Sequence, residues 1–153
     1  MKTKTIFLLL FTFIFFSCKN SNSSINHKSD SEDFSKQITE KYWKLKILNE
    51  EKVKMEKQQE REVYLILKSD KNNVKGFSGC NKFSGFYQVK EKRNKIKFSN
   101  LSTNSKTCSD LKFNEATFLE TLENVSQYDL KEDNLFLKDK ENKILAYFKA
   151  VYF

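Results

Sequence analysis

The sequence contains no proline, only three glycines and a single histidine among its 153 residues. The histidine, His27, lies in a polar stretch, and one solvated imidazole cannot build a metal site of several histidines or a Ser-His-Asp triad. The glycines, which tolerate positive φ angles and close backbone approach, all fall within residues 76–85. Backbone freedom is therefore concentrated at one place, and that segment is the candidate signature of the protein.

Other signatures of catalysis are also missing from the sequence. The carboxylates lie in charged turns or on the exposed face of a predicted helix, where no apolar surroundings would raise a pKa for general acid catalysis. The glycine segment leads into a predicted strand, whereas a phosphate-binding loop leads into a helix with a Lys-Ser/Thr pair. We therefore predict a protein that is not an enzyme and that has no metal or cofactor.

No apolar run is long enough to cross a membrane as a helix. The run at residues 6–16 is far shorter than the roughly 20 residues required, and it has the length of the apolar region of a secretory signal peptide. Ser17 and Cys18 follow directly and resemble the lipobox of bacterial lipoproteins, although Phe15 occupies the usual leucine position. We predict that residues 1–17 are a signal peptide and that Cys18 is lipidated, with palmitate among its acyl chains. An ordinary signal peptide or an uncleaved anchor is the alternative.

Residues 18–39 are predicted to link the lipid to the folded domain. This segment is dominated by Lys, Asn, Ser, Asp and Glu, and it cannot bury enough apolar surface to offset its ordering entropy. We therefore expect a flexible tether. Loss of the signal peptide removes two lysines and lowers the formal net charge from +8 to +6. The basic residues are scattered rather than clustered, so no nucleic-acid partner is expected.

Residues 40–153 are predicted to form one domain, which is rich in short strands. Apolar residues alternate with polar ones over several segments, and turn-like clusters of Asn, Asp, Ser and Lys separate them. The alternating segments are 43–47, 63–67, 83–88, 95–98, 135–137 and 144–150. The second of these is apolar on both faces, which is typical of a central strand. The pattern predicts an antiparallel sheet or barrel.

One segment has the spacing of a helix instead. Its apolar stripe is formed by Leu111, Phe118, Leu119, Leu122 and Val125. Ser109, Asp110 or Asn114 would serve as the N-cap, and Glu115, Glu120 and Glu123 are predicted to face away from the stripe. The sheet is the only partner that can bury this stripe. The expected fold is therefore α+β, a curved antiparallel sheet, half-open and barrel-like, packed on one amphipathic helix.

The glycine segment carries a motif, Gly76-x-x-Gly79-Cys80-Asn81-x-x-x-Gly85-x-Tyr87. Together with Thr103, Cys108 and a helix that begins with Glu115, it resembles the META/HslJ-like domain over about residues 41–150. The segment from Thr103 to Cys108 is one residue longer than usual in that family and lacks its Met. The resemblance implies a small envelope protein, lipid-anchored or secreted, associated with stress and antibiotic tolerance in some members. It implies no enzyme activity and no established ligand.

A physical role can be assigned to the residues of this motif. We expect Gly76 and Gly79 to flank a bulge or tight bend that brings Cys80 and Asn81 inward. Asn81 would satisfy backbone groups at the bend with its amide, and Gly85 would remove a side chain where a helix or strand crosses closely. The motif then specifies the fold. A binding role for the polar groups around Asn81 is the alternative.

Two cysteines remain if Cys18 is lipidated. Cys80 and Cys108 form an even pair in an oxidising compartment, which favours a disulfide. Two buried free thiols are the alternative. A redox enzyme is disfavoured because the C-x-x-C spacing is absent.

Two classes of function fit these expectations. The first is a non-catalytic structural or interaction module of the cell envelope, a monomer that is held on the membrane through Cys18 and contacts an envelope protein. The second is a small carrier that binds a lipid or peptide between helix and sheet. A pocket of several hundred Å³ lined by Phe and Leu would favour the carrier. Because no Asp follows Cys18, we expect the outer membrane.

Overall fold

The computed structural model describes residues 37–90, 93–104 and 106–153. The predicted signal peptide, the lipidation at Cys18 and nearly all of the predicted tether lie outside these residues. The described part forms nine strands and one α-helix. The elements are β1 (Tyr42–Leu48), β2 (Glu51–Lys52), β3 (Tyr64–Leu67), β4 (Asn73–Phe77), β5 (Lys82–Lys90), β6 (Lys95–Thr103), α1 (Glu115–Glu123), β7 (Gln127–Lys131), β8 (Asn134–Lys138) and β9 (Ile144–Val151).

The strands form a single antiparallel sheet that curls into an incomplete ring. Their order is β2-β1-β3-β4-β5-β6-β7-β8-β9, and β1 also pairs with β9. Strands β6 and β7 pair at only one position in the described part, Lys95 with Gln127, so the ring opens between them. Helix α1 connects these two strands and packs against β6. The structure therefore confirms the predicted α+β fold, with a half-open curved sheet on one helix.

The core fills the inside of this ring. Along β5 the side chains of Phe83 and Tyr87 are buried, whereas those of Ser84 and Phe86 between them are exposed, as the period of two predicts. Phe118 and Leu122 of α1 are fully buried, and the Phe118 ring contacts the Phe83 ring edge to face with centroids 5.7 Å apart. Each such side chain contributes roughly 1.5–3 kcal/mol by leaving water. Helix and sheet are thus joined by apolar burial.

The six predicted strands all form, and three strands were not predicted. These are β2, β4 and β7. Strand β4 was missed because Gly76 was assigned to a bend, whereas it lies inside the strand and pairs with Leu65 on one side and Phe83 on the other. In β7 a single large apolar side chain, Tyr128, is buried, and one residue gives too weak a pattern to recognise.

Helix α1 is shorter than its apolar pattern suggested. It begins at Glu115, because Asn114 caps it by accepting a hydrogen bond from the Thr117 amide at 3.1 Å. Asn114 is one of the three predicted caps. Leu111 and Val125, at the ends of the predicted stripe, lie outside the helix. Val125 is nevertheless buried, so the stripe continues into the core beyond the helix end.

The folded domain begins earlier than predicted. Ile38 and Thr39, which the sequence analysis assigned to the tether, are buried. The Trp43 indole donates to the Ile38 carbonyl oxygen at 2.7 Å, and the Glu40 amide donates to the Leu67 carbonyl oxygen at 2.8 Å. Residues 38 and 39 therefore belong to the domain, since Ile38 supplies apolar area that the polar composition of its neighbours concealed.

Outside residues 78–81, the positions of the described part with positive φ angles are occupied by residues other than glycine, most often asparagine. Nine non-glycine residues of the described part have positive φ angles, and five of them are asparagines. Asparagine tolerates the left-handed region because its short side chain hydrogen-bonds locally. Glutamate has no such advantage, yet Glu132 adopts φ 52° in the turn between β7 and β8. Backbone strain is therefore expected at this position.

We expect the substitution Glu132→Gly to stabilise the protein. Glycine removes the left-handed strain of about 1–2 kcal/mol and loses part of that gain to its greater unfolded-state entropy, leaving roughly 0.5–1 kcal/mol. Urea unfolding measures the change. Glu132→Ala is the matched control, because it keeps the Cβ atom and should leave the stability nearly unchanged. Equal stabilities of the Gly and Ala variants would contradict the strain.

Candidate functional site

The turn between β4 and β5, residues 78–81, lies at the centre of the glycine segment. A hydrogen bond of 2.8 Å from the Ser78 amide to the Asn81 carbonyl oxygen closes it. Gly79 has φ +97°, and a Cβ atom added there would lie 2.6 Å from Cδ1 of Phe113. Both the backbone angle and the close approach of the Phe113 ring therefore require glycine at this position.

The Asn81 side chain is almost completely buried, with 2% of the residue's surface exposed. Its Nδ2 donates to the Lys106 carbonyl oxygen at 3.0 Å and to Oε1 of Glu115 at 3.0 Å. Its Oδ1 accepts from the Lys106 amide at 3.2 Å. Asn81 was expected to satisfy backbone groups at its own bend. In the structure it instead satisfies those of Lys106, a residue distant in sequence.

Glu115, the first residue of α1, contacts the same turn. Its Oε2 accepts from the Asn81 amide at 3.0 Å and from the Ser78 hydroxyl. Glu115 was predicted to lie on the exposed helix face, and this prediction was wrong. At a helix N-terminus a carboxylate is also favoured by the helix dipole. We call Ser78, Asn81, Lys106 and Glu115 the polar junction.

The structure contains the expected disulfide between Cys80 and Cys108. Their Cα atoms are 5.9 Å apart, and the sequence separation is 28. The structure thus shows the bonded pair rather than the alternative of two free thiols. The bond holds the segment that carries Lys106 against the turn, beside the hydrogen bonds of Asn81.

The loop between β2 and β3, residues 53–63, also packs on this turn. Gln59 is 5% exposed, and its Nε2 donates to the Gly79 carbonyl oxygen at 3.4 Å. The Glu56 carboxylate accepts from the amides of Lys112 and Phe113, with the shortest distance to each 3.0 Å. No signal in the sequence distinguished Glu56 and Gln59 from the other charged and polar residues of their loop. Both partners lie far away along the chain.

Gly76 and Gly85 leave room for atoms of the neighbouring strands, because they have no side chain. A Cβ atom on Gly76 would overlap the Tyr64 carbonyl oxygen of the neighbouring strand and approach the Phe83 ring. A Cβ atom on Gly85 would lie 2.7 Å from Cδ2 of Leu101 and 2.9 Å from the Ser99 carbonyl oxygen on β6. The close strand crossing expected at Gly85 is therefore present, and the pairing of β5 with β6 shifts register there.

Tyr87, the last residue of the motif, anchors the far end of β5. Its side chain is buried on the inner face, and its hydroxyl donates to the Lys68 carbonyl oxygen at 3.1 Å. Burial raises the pKa of Tyr87 above its ordinary value, and the Glu40 carboxylate adds to this rise. The phenol therefore stays protonated and remains a donor at neutral pH.

The space between helix and sheet is filled by side chains, among them the fully buried Phe118 and Leu122. An open cleft of about 670 Å³ lies instead between the β1–β2 hairpin, the loop that follows it and the start of α1. Its apolar lining consists of Leu48, Val53 and Phe113, and its remaining lining is polar or charged. The cleft therefore has a mixed lining, whereas a carrier pocket is lined predominantly by apolar side chains.

The polar junction is suited to hold parts of the fold together. Its donors and acceptors are paired with one another across the turn, the segment at Lys106 and the start of α1.

Within the described residues no group of three or more His, Cys, Asp or Glu side chains could hold a metal ion. In the same part of the chain, no helix is both long and apolar enough to span a membrane.

The comparison with protein families agrees with this architecture. The model of the META domain matches residues 36–152. The match covers well over half of the chain, and the protein therefore belongs to the META domain family. This confirms the resemblance seen in the sequence and includes Ile38 and Thr39 in the domain.

Solved structures share the fold. One protein, determined by NMR, is 22% identical with a TM-score of 0.57, and the alignment covers 74% of this chain and 92% of that one. Another NMR structure, of a protein from Burkholderia xenovorans, is 18% identical with a TM-score of 0.62, and the alignment covers 79% and 88% of the two chains. At these identities the likeness shows the fold alone. No protein with curated annotation matches the sequence significantly.

Removing the disulfide is expected to destabilise the domain. Cys80→Ala/Cys108→Ala should lower the free energy of unfolding by roughly 3.5 kcal/mol in the chain-entropy model, given the separation of 28 residues. Urea unfolding with and without reductant measures this. Reductant should weaken the parent protein by the same amount and leave the double variant unchanged. A parent protein insensitive to reductant would show that the bond is absent in solution.

Substitution of the junction carboxylate should also destabilise the domain. In Glu115→Gln an NH2 group replaces one of the two carboxylate oxygens, both of which accept hydrogen bonds in the structure. In either orientation of the amide this NH2 group faces another donor, so at least one hydrogen bond is lost, at a cost of about 1–3 kcal/mol. Glu115→Asp keeps the charge at the helix N-terminus but withdraws it from the turn, and we expect a similar loss.

Glu123→Gln, at the exposed end of the same helix, is the control and should change the stability by less than about 0.5 kcal/mol. Chemical unfolding of the three variants measures the difference. A full retention of stability in Glu115→Asp would assign the effect to the helix dipole rather than to the junction.

Proposed function

We propose that this protein is a non-catalytic structural or interaction module of the bacterial cell envelope, attached to the outer membrane through a lipid on Cys18. The observation that carries this proposal is the filled interior. Phe118 and Leu122 of α1 pack without exposure inside the ring, and the polar groups of the motif bind one another. The motif then serves to build the domain, and its outer surface is what remains for contact with a partner.

Two further features support an envelope location. A disulfide between Cys80 and Cys108 is stable in an oxidising compartment, and such bonds are rare in the cytosol. The first buried residue of the described part is Ile38, about twenty residues after Cys18, and a tether of that length, if extended, would reach on the order of 70 Å from the membrane. This reach lets the domain contact other envelope components. A role in envelope stress tolerance follows from the family resemblance.

The alternative function is a carrier of an apolar ligand between helix and sheet. It would need an apolar cavity at that place, and side chains occupy the space. The open cleft of about 670 Å³ beside the start of α1 has lysines and glutamates in its lining. Packing therefore favours the interaction module over the carrier.

Lipidation of Cys18 is expected to decide where the protein is found. Protein purified from membranes of the producing cell should begin at Cys18 and carry the added mass of its acyl chains in intact mass spectrometry. Cys18→Ala should move it from the membrane to the soluble fraction, whereas Ser24→Ala, in the neighbouring tether, should not. Cleavage of the signal peptide at another position, without acylation of Cys18, would contradict the proposed lipid anchor.

Crosslinking in intact cells separates the two functions. The interaction module predicts one reproducible crosslinked envelope protein, and native mass spectrometry of the purified domain should show a ligand-free mass. The carrier predicts a co-purifying lipid or other apolar molecule at one equivalent and no protein partner. The second result would replace the proposed function with the alternative.

A further inference from the structure

A second cleft, of about 440 Å³, lies on the outer face of the sheet, across strands β3 to β6. Its charged lining consists of Arg61, Lys75 and Lys82, and no carboxylate belongs to the lining. Hydroxyl groups of Ser84 and Ser102 lie in the same cleft. The lining thus combines three cations with neutral hydrogen-bonding groups.

The sheet register brings these groups together. Lys75 on β4 pairs with Ser84 on β5, and Ser84 pairs with Ser102 on β6, so the three form a row across the strands. Lys82 precedes Ser84 by two residues and lies on the same exposed face of β5. Lys75 and Lys82 are therefore diagonal neighbours, with about 7–8 Å between their backbone positions. The two lysines thus place like charges on neighbouring strands of one face, and an anion bound between them would reduce their repulsion.

Arg61 supplies the third cation and an unused donor. Its Nε is buried and has no hydrogen-bond partner among the described residues. One of its terminal nitrogens binds the exposed carboxylate of Glu60 at 3.1 Å. In the part of the chain that the structure describes, neither Lys75 nor Lys82 forms a salt bridge. Among the described residues, the charges of Lys75 and Lys82 are therefore unpaired, whereas that of Arg61 is shared with Glu60.

We propose that this cleft binds a phosphate group, carried either by a lipid head group or by a small soluble phosphate. A phosphate presents several acceptor oxygens and a negative charge, and it matches a lining of guanidinium, ammonium and hydroxyl donors. The site is open, so the molecule that carries the phosphate extends into solvent. The lipid on Cys18 is not needed for this binding.

The test uses the unlipidated mature chain, residues 18–153 with Cys18→Ser. Inorganic phosphate and glycerol 3-phosphate are titrated in turn, with amide shifts followed by NMR at constant ionic strength. Sedimentation with vesicles of phosphatidylglycerol in phosphatidylcholine is compared with sedimentation with vesicles of phosphatidylcholine alone. We expect the largest shifts at Lys75, Lys82, Ser84 and Ser102 with the soluble probes, or selective sedimentation with the anionic vesicles.

Lys75→Gln/Lys82→Gln should weaken whichever binding is observed by at least tenfold. The control, Lys95→Gln/Lys97→Gln, removes the same charge from β6 outside the cleft and should weaken it less than twofold. A response to soluble phosphate identifies a phosphate site, and a response to vesicles alone assigns the phosphate to a lipid head group. Equal losses in both variants, or no binding of any probe, would overturn the proposal. The envelope anchor would still stand, because the lipid on Cys18 is absent from the assay.

Discussion

The carboxylate of Glu115 forms the link on which the arrangement of helix and sheet depends. Strands β6 and β7 pair at only one position in the described part, so few ladder hydrogen bonds hold that side of the ring. Apolar burial holds α1 in the opening but is not directional. Hydrogen bonds from Ser78 and Asn81 to Glu115 fix the orientation of α1, because they join its first residue to the turn at residues 78–81, which requires glycine.

The predictable part of the fold is the part with a strong local pattern. Alternation identified the inward residues of β5, β8 and most of β9, since one buried face imposes a period of two. Strand β4 has the same alternation, but its inner positions include Gly76, whose hydrogen side chain carries no hydropathy signal. Ile38 was missed for the opposite reason, because one apolar residue among polar ones gives no pattern. Its burial depends on Trp43 and β3.

The candidate site was predictable only from the motif itself. Asn81, Cys80 and Cys108 could be singled out because their types and spacing are unusual in this sequence. The partners of Asn81 could not, since Lys106 and Glu115 lie 25 and 34 residues away and reach it only after the sheet has formed. Glu56 and Gln59 are the extreme case. They resemble solvated loop residues, and only the folded chain brings them to the backbone of Phe113 and Gly79.

The pairing of β1 with β9 sets the order in which this chain can mature. Tyr42 lies opposite Val151, so β1, which begins the ring, can pair with its last partner, β9, only after almost every other residue has been made. A chain that is made from its N-terminus therefore stays incompletely folded until its last strand is available. Cys80 and Cys108 both precede β9 in the chain, so both thiols are available before the ring can close. The central turn can thus be locked covalently before the last strand completes the ring.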